Sequence, residues 1–140
     1  MQFSTLVITL FFSVFMSLFV AAAPLEERSI NISGEHSGDG TYYATGLGAC
    51  GIWNNDDDHI VAVGHDLFDN YPGYTGTNPN ANPICNKKLT ANYNGKSVTV
   101  TVVDRCVGCG PWDLDFSPAA FTKLAPESVG RLESVEWSFD

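Results

Sequence analysis

Residues 104–121, DRCVGCGPWDLDFSPAAF, concentrate the groups able to do chemistry. Asp104, Asp113 and Asp115 supply three carboxylates, Arg105 a cation, and Cys106 and Cys109 a Cys-x-x-Cys pair. A cluster of this kind suits three chemistries. Cys-x-x-Cys is half of a zinc knuckle, it is also the spacing of a redox dithiol, and two carboxylates can divide acid and base work at a glycosidic bond. The chain has only one such knuckle, which argues against structural zinc. A thioredoxin-like pair wants a helix starting at its first cysteine, whereas Val-Gly-Cys-Gly-Pro after Cys106 is loop material. No flavin or metal fingerprint is present, so neither a cofactor nor a metal is expected.

The compartment decides what the four cysteines mean. Residues 6–20 are almost all apolar, no charge precedes Glu26, and Val20-Ala21-Ala22 offers the small residues of a cleavage site. Residues 1–22 therefore read as a signal peptide cut near Ala22, and no other segment is long and apolar enough to cross a membrane. Cys50, Cys85, Cys106 and Cys109 then read as two disulfides with three possible connectivities. Asn31-Ile32-Ser33 is a glycosylation sequon, with Asn31 as acceptor. The formal charge of -9 repels phosphate and anionic lipid, which excludes nucleic acid and membrane surfaces but not a neutral polysaccharide. A secreted monomer, extracellular or held in a cell wall, is the expectation.

Residues 23–39 are polar and without period, and read as a disordered lead-in or pro-segment before a domain at 40–140. Strand-like runs follow at 41–45, 59–63, 88–93, 97–103 and 131–139. SVTVTVV and LESVEWSF alternate as half-buried strands do, and Asn94-Gly95 is a two-residue hairpin turn. The longest loop, residues 70–83, is rich in Pro, Gly and Asn. Ser117 before Pro118 caps a short helix that Ala125-Pro126 ends. The fold class is mainly β, a small closed barrel with one or two short helices.

GTYYATGLGACG (40–51), IVAVGHDLFDN (60–70), the stretch from Asn82 to Cys106 and DLDFSPAAFTKLA (113–125) together resemble the double-psi β-barrel of RlpA-like, barwin and expansin proteins, closest to the short secreted fungal type. The resemblance implies a six-stranded double-psi barrel, with Asp104 and Asp115 brought to one open groove. In the similar family 45 glycoside hydrolases the second of these is the general acid; no base is identifiable here, and Asp56, Asp57 and Asp58 read as a solvated turn. Ala62-Val63-Gly64-His65 resembles the Ala-Ala-His stretch of RlpA lytic transglycosylases, which makes His65 a third catalytic candidate if it sits beside Asp104. His36 and His59 read as incidental, and Asp113 as a surface charge. Thr41 and Tyr42 match groove positions, and Trp53 and Trp112 could extend a sugar-stacking platform, while Trp137 reads as core. The implied disulfides are Cys50 with Cys85 and Cys106 with Cys109.

The function these residues imply is an expansin-like protein that binds cell-wall polysaccharide, glucan, chitin or similar, and loosens or remodels the wall without hydrolysis. Three alternatives come with the resemblance: a barwin-like inhibitor whose partner is a protease, an RlpA-like lytic transglycosylase, and a riboflavin aldehyde-forming enzyme.

Overall fold

Asn94 and Gly95 both take positive φ (47° and 77°), so the hairpin they join forms with the register the turn dictates. Its arms are β3 (Lys88–Tyr93) and β4 (Lys96–Cys106), paired from Tyr93–Lys96 to Lys88–Thr101. The structure, a computed structural model, describes residues 20–23 and 30–140. Most of the expected signal peptide, 1–19, and residues 24–29 of the lead-in lie outside the described residues. Among those described, no helix is long and apolar enough to cross a membrane.

Four more strands complete the sheet: β1 (His36–Tyr42), β2 (Ile60–Gly64), β5 (Leu114–Phe116) and β6 (Leu132–Phe139). They close into one barrel in the order β1-β5-β2-β4-β3-β6, the six-stranded barrel expected. The β1–β5 and β2–β4 pairs are parallel and the rest antiparallel. β1 starts at His36, inside the stretch read as a disordered lead-in. Its few apolar residues gave no period, but the backbone of 36–40 pairs with β6 and His36 is buried. β5 is only three residues long, too short to announce itself by alternation.

Two short helices sit outside the sheet, α1 (His65–Asp69) and α2 (Pro118–Phe121). The Ser117 hydroxyl accepts from the Ala120 N–H and Pro118 takes the first helical position, as the sequence predicts. Leu67, Phe68, Ala120 and Phe121 turn inward onto a core built from Val61, Val63, Leu89, Val100, Val102, Leu114, Phe116, Leu132, Val135 and Trp137. Trp137 is fully buried and its indole N–H donates to the Trp112 carbonyl at 2.9 Å, which supplies the partner a buried indole needs.

One irregularity in β4 matters for the site. Val98, Val100 and Val102 face the core, and unbroken alternation would send Asp104 inward after them. The ladder with β2 instead pairs Val61 with Val102 and Ala62 with Asp104, so Val103 is bulged out of register. A bulge re-aims the side chains beyond it, and here it turns a carboxylate away from the core.

Candidate functional site

Register assembles the site. Thr41 on β1 stands beside Asp115 on β5, Asp115 beside Ala62 on β2, and Ala62 beside Asp104 on β4. Laterally paired residues share a face, so these four form one row on the outer face of the barrel. The neighbouring row, Tyr42, Phe116, Val61 and Val102, faces the core. With strands about 4.8 Å apart, the α-carbons of Asp115 and Asp104 lie two spacings, or about 10 Å, from each other.

The two carboxyls sit in different environments. Asp104 Oδ1 accepts the N–H groups of Ala49 and Arg105, both at 2.8 Å. Asp115 is half-buried, and burial pushes its pKa above the ordinary carboxylate range; the charge of Asp104 adds to the rise, while the Thr41 hydroxyl, donating to Oδ1 at 2.9 Å, and Arg131 oppose it. Tyr43 continues the outward parity of Thr41 beyond the strand end. Burial pushes its phenol well above the usual tyrosine range, followed by the charge of Asp104, hydrogen bonding toward Asp104, and the charge of Asp115. The charges of both carboxyls thus act on the Tyr43 phenol.

Tyr43 is the residue that sequence reading missed. The resemblance assigns the groove to Thr41 and Tyr42, but neighbours on a strand point to opposite faces. Tyr42 turns inward against Phe121, with ring centroids 4.8 Å apart, and packs on the core. Alternation within TYYAT was the signal that could have found Tyr43.

The segment between β1 and β2 leans over Asp104. Residues 46–54 form a small antiparallel arm, with Leu47 bridged to Trp53 and the Gly48 and Asn54 amides donating to Ile52 and Gly46. Cys50 N–H donates to the carbonyl of the bulged Val103, and a Cβ on Gly48 would lie 2.3 Å from that same oxygen. Only glycine lets the arm come so close. The Cys50–Cys85 disulfide ties the arm to the approach of β3. Asp56 accepts the amide and hydroxyl of Thr45, and Asp58 accepts from Asn54 and Asn55; Asp56 and Asp58 thus cap the arm's base, in keeping with a turn. Trp53 is 75% exposed and Leu47 57%, so the arm presents an apolar surface beside the carboxyl row.

Other candidates go elsewhere. His65 opens α1 and its Nε2 lies 3.3 Å from Asp66, while Asp69 at the end of the same helix holds Arg105 through two bonds of 2.8 and 2.6 Å. Arg105 follows Asp104 on the opposite parity, and no hydrogen bond among the described residues joins His65 to Asp104. Trp112 packs rather than projects: its ring stacks on His36 at 4.0 Å with 5° between planes, and its carbonyl crosses so near Gly38 that a Cβ there would lie 2.2 Å away. His36 is thus a buried stacking partner, not an incidental residue. Asp113 is no free surface charge either, since its two oxygens accept the N–H groups of Asp39 and Gly110, each at 2.8 Å. Asn31 is exposed, ahead of β1. Cys106 and Cys109 are joined, so the Cys-x-x-Cys has no thiolate to offer a metal.

A family model described as "Lytic transglycolase", of double-psi β-barrel type, matches residues 67–136. The chain belongs to the RlpA-like double-psi β-barrel family. Within the family it is 36% identical to a papain inhibitor from Streptomyces mobaraensis, over 86% of this chain and 81% of that protein. The solved structure of a Streptomyces papain inhibitor superposes with a TM-score of 0.69 at 34% identity, over 79% of this chain and 97% of that one. The allergen Asp f 7 of Aspergillus fumigatus is 37% identical over 71% of this chain, but that match spans only 35% of the allergen. A Clavibacter michiganensis expansin solved with cellohexaose shares the fold at 24% identity and a TM-score of 0.59, over 76% of this chain and 50% of the expansin.

Proposed function

We propose that this RlpA-like barrel is a secreted protein that binds cell-wall polysaccharide along the row Thr41–Asp115–Ala62–Asp104 and acts on the wall without hydrolysing it. The observation that carries the reading is the register that sets Thr41, Asp115, Ala62 and Asp104 in one row, with Thr41 bonded to Asp115. It leaves an outer face lined by a hydroxyl, a phenol and two carboxyl groups in fixed register, next to an exposed Trp53 on which a sugar ring can stack. Asp115 has the environment of an acid. Asp104, the other carboxyl of the row, already has Oδ1 occupied by two backbone amides, which suits positioning better than proton abstraction. Binding without hydrolysis fits that asymmetry. The apolar leader and the two disulfides support secretion.

Calorimetric titration with soluble glucan and chitin oligomers, paired with pull-down on insoluble wall, tests the reading. Heat or retention that falls in Asp115→Asn and Trp53→Ala supports it, and silence in both assays overturns it. New reducing ends or anhydro products that vanish in Asp115→Asn would make the protein an enzyme and refute the non-hydrolytic part.

A second reading, inhibition of a papain-type protease, is favoured by the 36% identity to a papain inhibitor across 81% of that relative. It requires protease activity to fall on addition of the native protein, and Asp115→Asn to inhibit as well as the parent does. Unimpaired protease would sink it.

A further inference from the structure

The loop that follows Asp104 is closed by Cys106–Cys109, and both sulfurs lie within 4.8 Å of a carboxyl oxygen of Asp115, a spacing one water can bridge. Register explains the closeness. Cys106 stands two residues beyond Asp104 on β4, on the same face, opposite Gly64, which has no side chain to separate the sulfur from the carboxyl row. The bond is reachable from solvent. Val107 at the loop tip is 72% exposed, both cysteines are half-buried, and a Cβ on Gly108 would meet nothing within 4 Å. In the other disulfide Cys50 is only 7% exposed, while Cys85 is half-buried as Cys106 and Cys109 are. The loop is also held without its disulfide: Gly110 N–H donates to Asp113, Asp113 accepts from Asp39, and the Gly110 carbonyl packs where a Cβ on Gly64 would be. Opening the S–S bond therefore leaves the surrounding barrel tethered.

We propose that Cys106–Cys109 and Asp115 form a thiol–disulfide exchange site whose substrates are small dithiols and their cyclic disulfides. One thiolate of the dithiol attacks a cysteine sulfur, the S–S electron pair leaves on the other sulfur, and that sulfur takes the proton of the Asp115 carboxyl. The resulting carboxylate removes the proton of the dithiol's second thiol, which then attacks the mixed disulfide. The second cysteine sulfur departs and is protonated from solvent with the proton lost by the first thiol. Two electrons and two protons pass from the dithiol to the cysteines, the dithiol becomes a cyclic disulfide, and Asp115 ends as it began.

An acid is what lets the leaving sulfur of such a pair depart as a neutral thiol. No helix begins at Cys106, and the neighbouring Arg105 is committed to Asp69. Asp115 retains a proton to higher pH than an exposed aspartate because it is half-buried, with Asp104 adding to the effect and Thr41 and Arg131 opposing it. The titratable and charged groups facing it are Tyr43, Asp104 and Arg131, the last paired with Asp39 at 3.0 Å. This chemistry goes beyond polysaccharide binding and is tested without any sugar.

The experiment exposes the full native chain to dithiothreitol, quenches samples with iodoacetamide, and locates the alkylated cysteines by peptide mass spectrometry while far-UV dichroism follows the fold. Cys106 and Cys109 should label together, with Cys50–Cys85 intact and dichroism native. The rate per thiolate should drop at least tenfold in Asp115→Asn, on the scale of lost general-acid catalysis. In the wild type that rate should fall as pH rises through the Asp115 titration, because the acid is being lost. Opening of both disulfides together, loss of dichroism before labelling, or equal rates in the variant would overturn the proposal. Should Asp115→Asn not fold, the wild-type profile decides alone, and a flat profile refutes the site.

Discussion

Replacing Asp113 discriminates sharply between two views of this region. A solvated carboxylate on a chain of charge -9 relieves repulsion when removed, so Asp113→Ala would change stability by no more than about 0.5 kcal/mol, most simply as a gain. The structure requires the opposite sign. Both oxygens accept backbone N–H groups at 2.8 Å, from Asp39 in β1 and from Gly110 in the disulfide loop. Hydrogen bonds to a charged acceptor contribute about 1.5–3 kcal/mol each, and the half-buried setting argues for the lower end, so losing both costs about 3 kcal/mol. For a domain of this size 1 kcal/mol moves Tm by about 4 °C, which places Asp113→Ala roughly 12 °C below the parent. Asp113→Asn keeps one acceptor oxygen and should lose about half as much. Thermal unfolding by dichroism, with urea midpoints as a check on two-state behaviour, measures both variants. Equal or raised Tm in Asp113→Ala would refute the bridging role and with it the claim that the loop is held independently of its disulfide.

Trp53→Ala should weaken binding to wall polysaccharide about tenfold while leaving Tm within a degree or two, since the ring is mostly exposed; a large stability loss would mean the arm is not rigid without it. Tyr43→Phe removes a hydroxyl on which the charges of both carboxyls act and should likewise reduce affinity about tenfold in calorimetry, with unchanged affinity excluding Tyr43 from the site. Asp115 has a folded pKa raised above its unfolded one, so the native state binds its proton more tightly and stability falls as pH rises from the ordinary aspartate range through the raised value. Asp115→Asn should abolish that fall, seen as stability curves that run together in acid and separate in the variant's favour above it; parallel curves would argue against the shift.

How legible each part was follows from how local its cause is. β3, its turn and the start of β4 were readable because alternation and Asn94-Gly95 act within a few residues. Ser117-Pro118 was readable for the same reason. Asp104 and Asp115 could be named from the motif resemblance, but their shared face could not be derived, because it depends on the Val103 bulge and on pairing between strands distant in sequence. The short β5 and the entry of β1 at His36 are set by their partners β1, β2 and β6 rather than by any apolar period of their own. Tyr42 matches the family's groove position, but strand parity turns it inward against Phe121 and leaves Tyr43 on the parity of Thr41. His65 resembled a catalytic position in one dimension, yet the chain turns into α1 at that residue and takes its side chain to Asp66.

The row Thr41–Asp115–Ala62–Asp104 also governs how the protein meets proteases. Its first two members are hydrogen-bonded yet 74 positions apart, and each of the four comes from a different strand. No contiguous fragment can carry the face, so proteolytic clipping that opens the barrel silences it rather than releasing an active peptide. Conversely, anything that settles on the row acts as a clamp on four strands at once. Ligand should therefore lengthen the protein's survival against proteases in proportion to its occupancy.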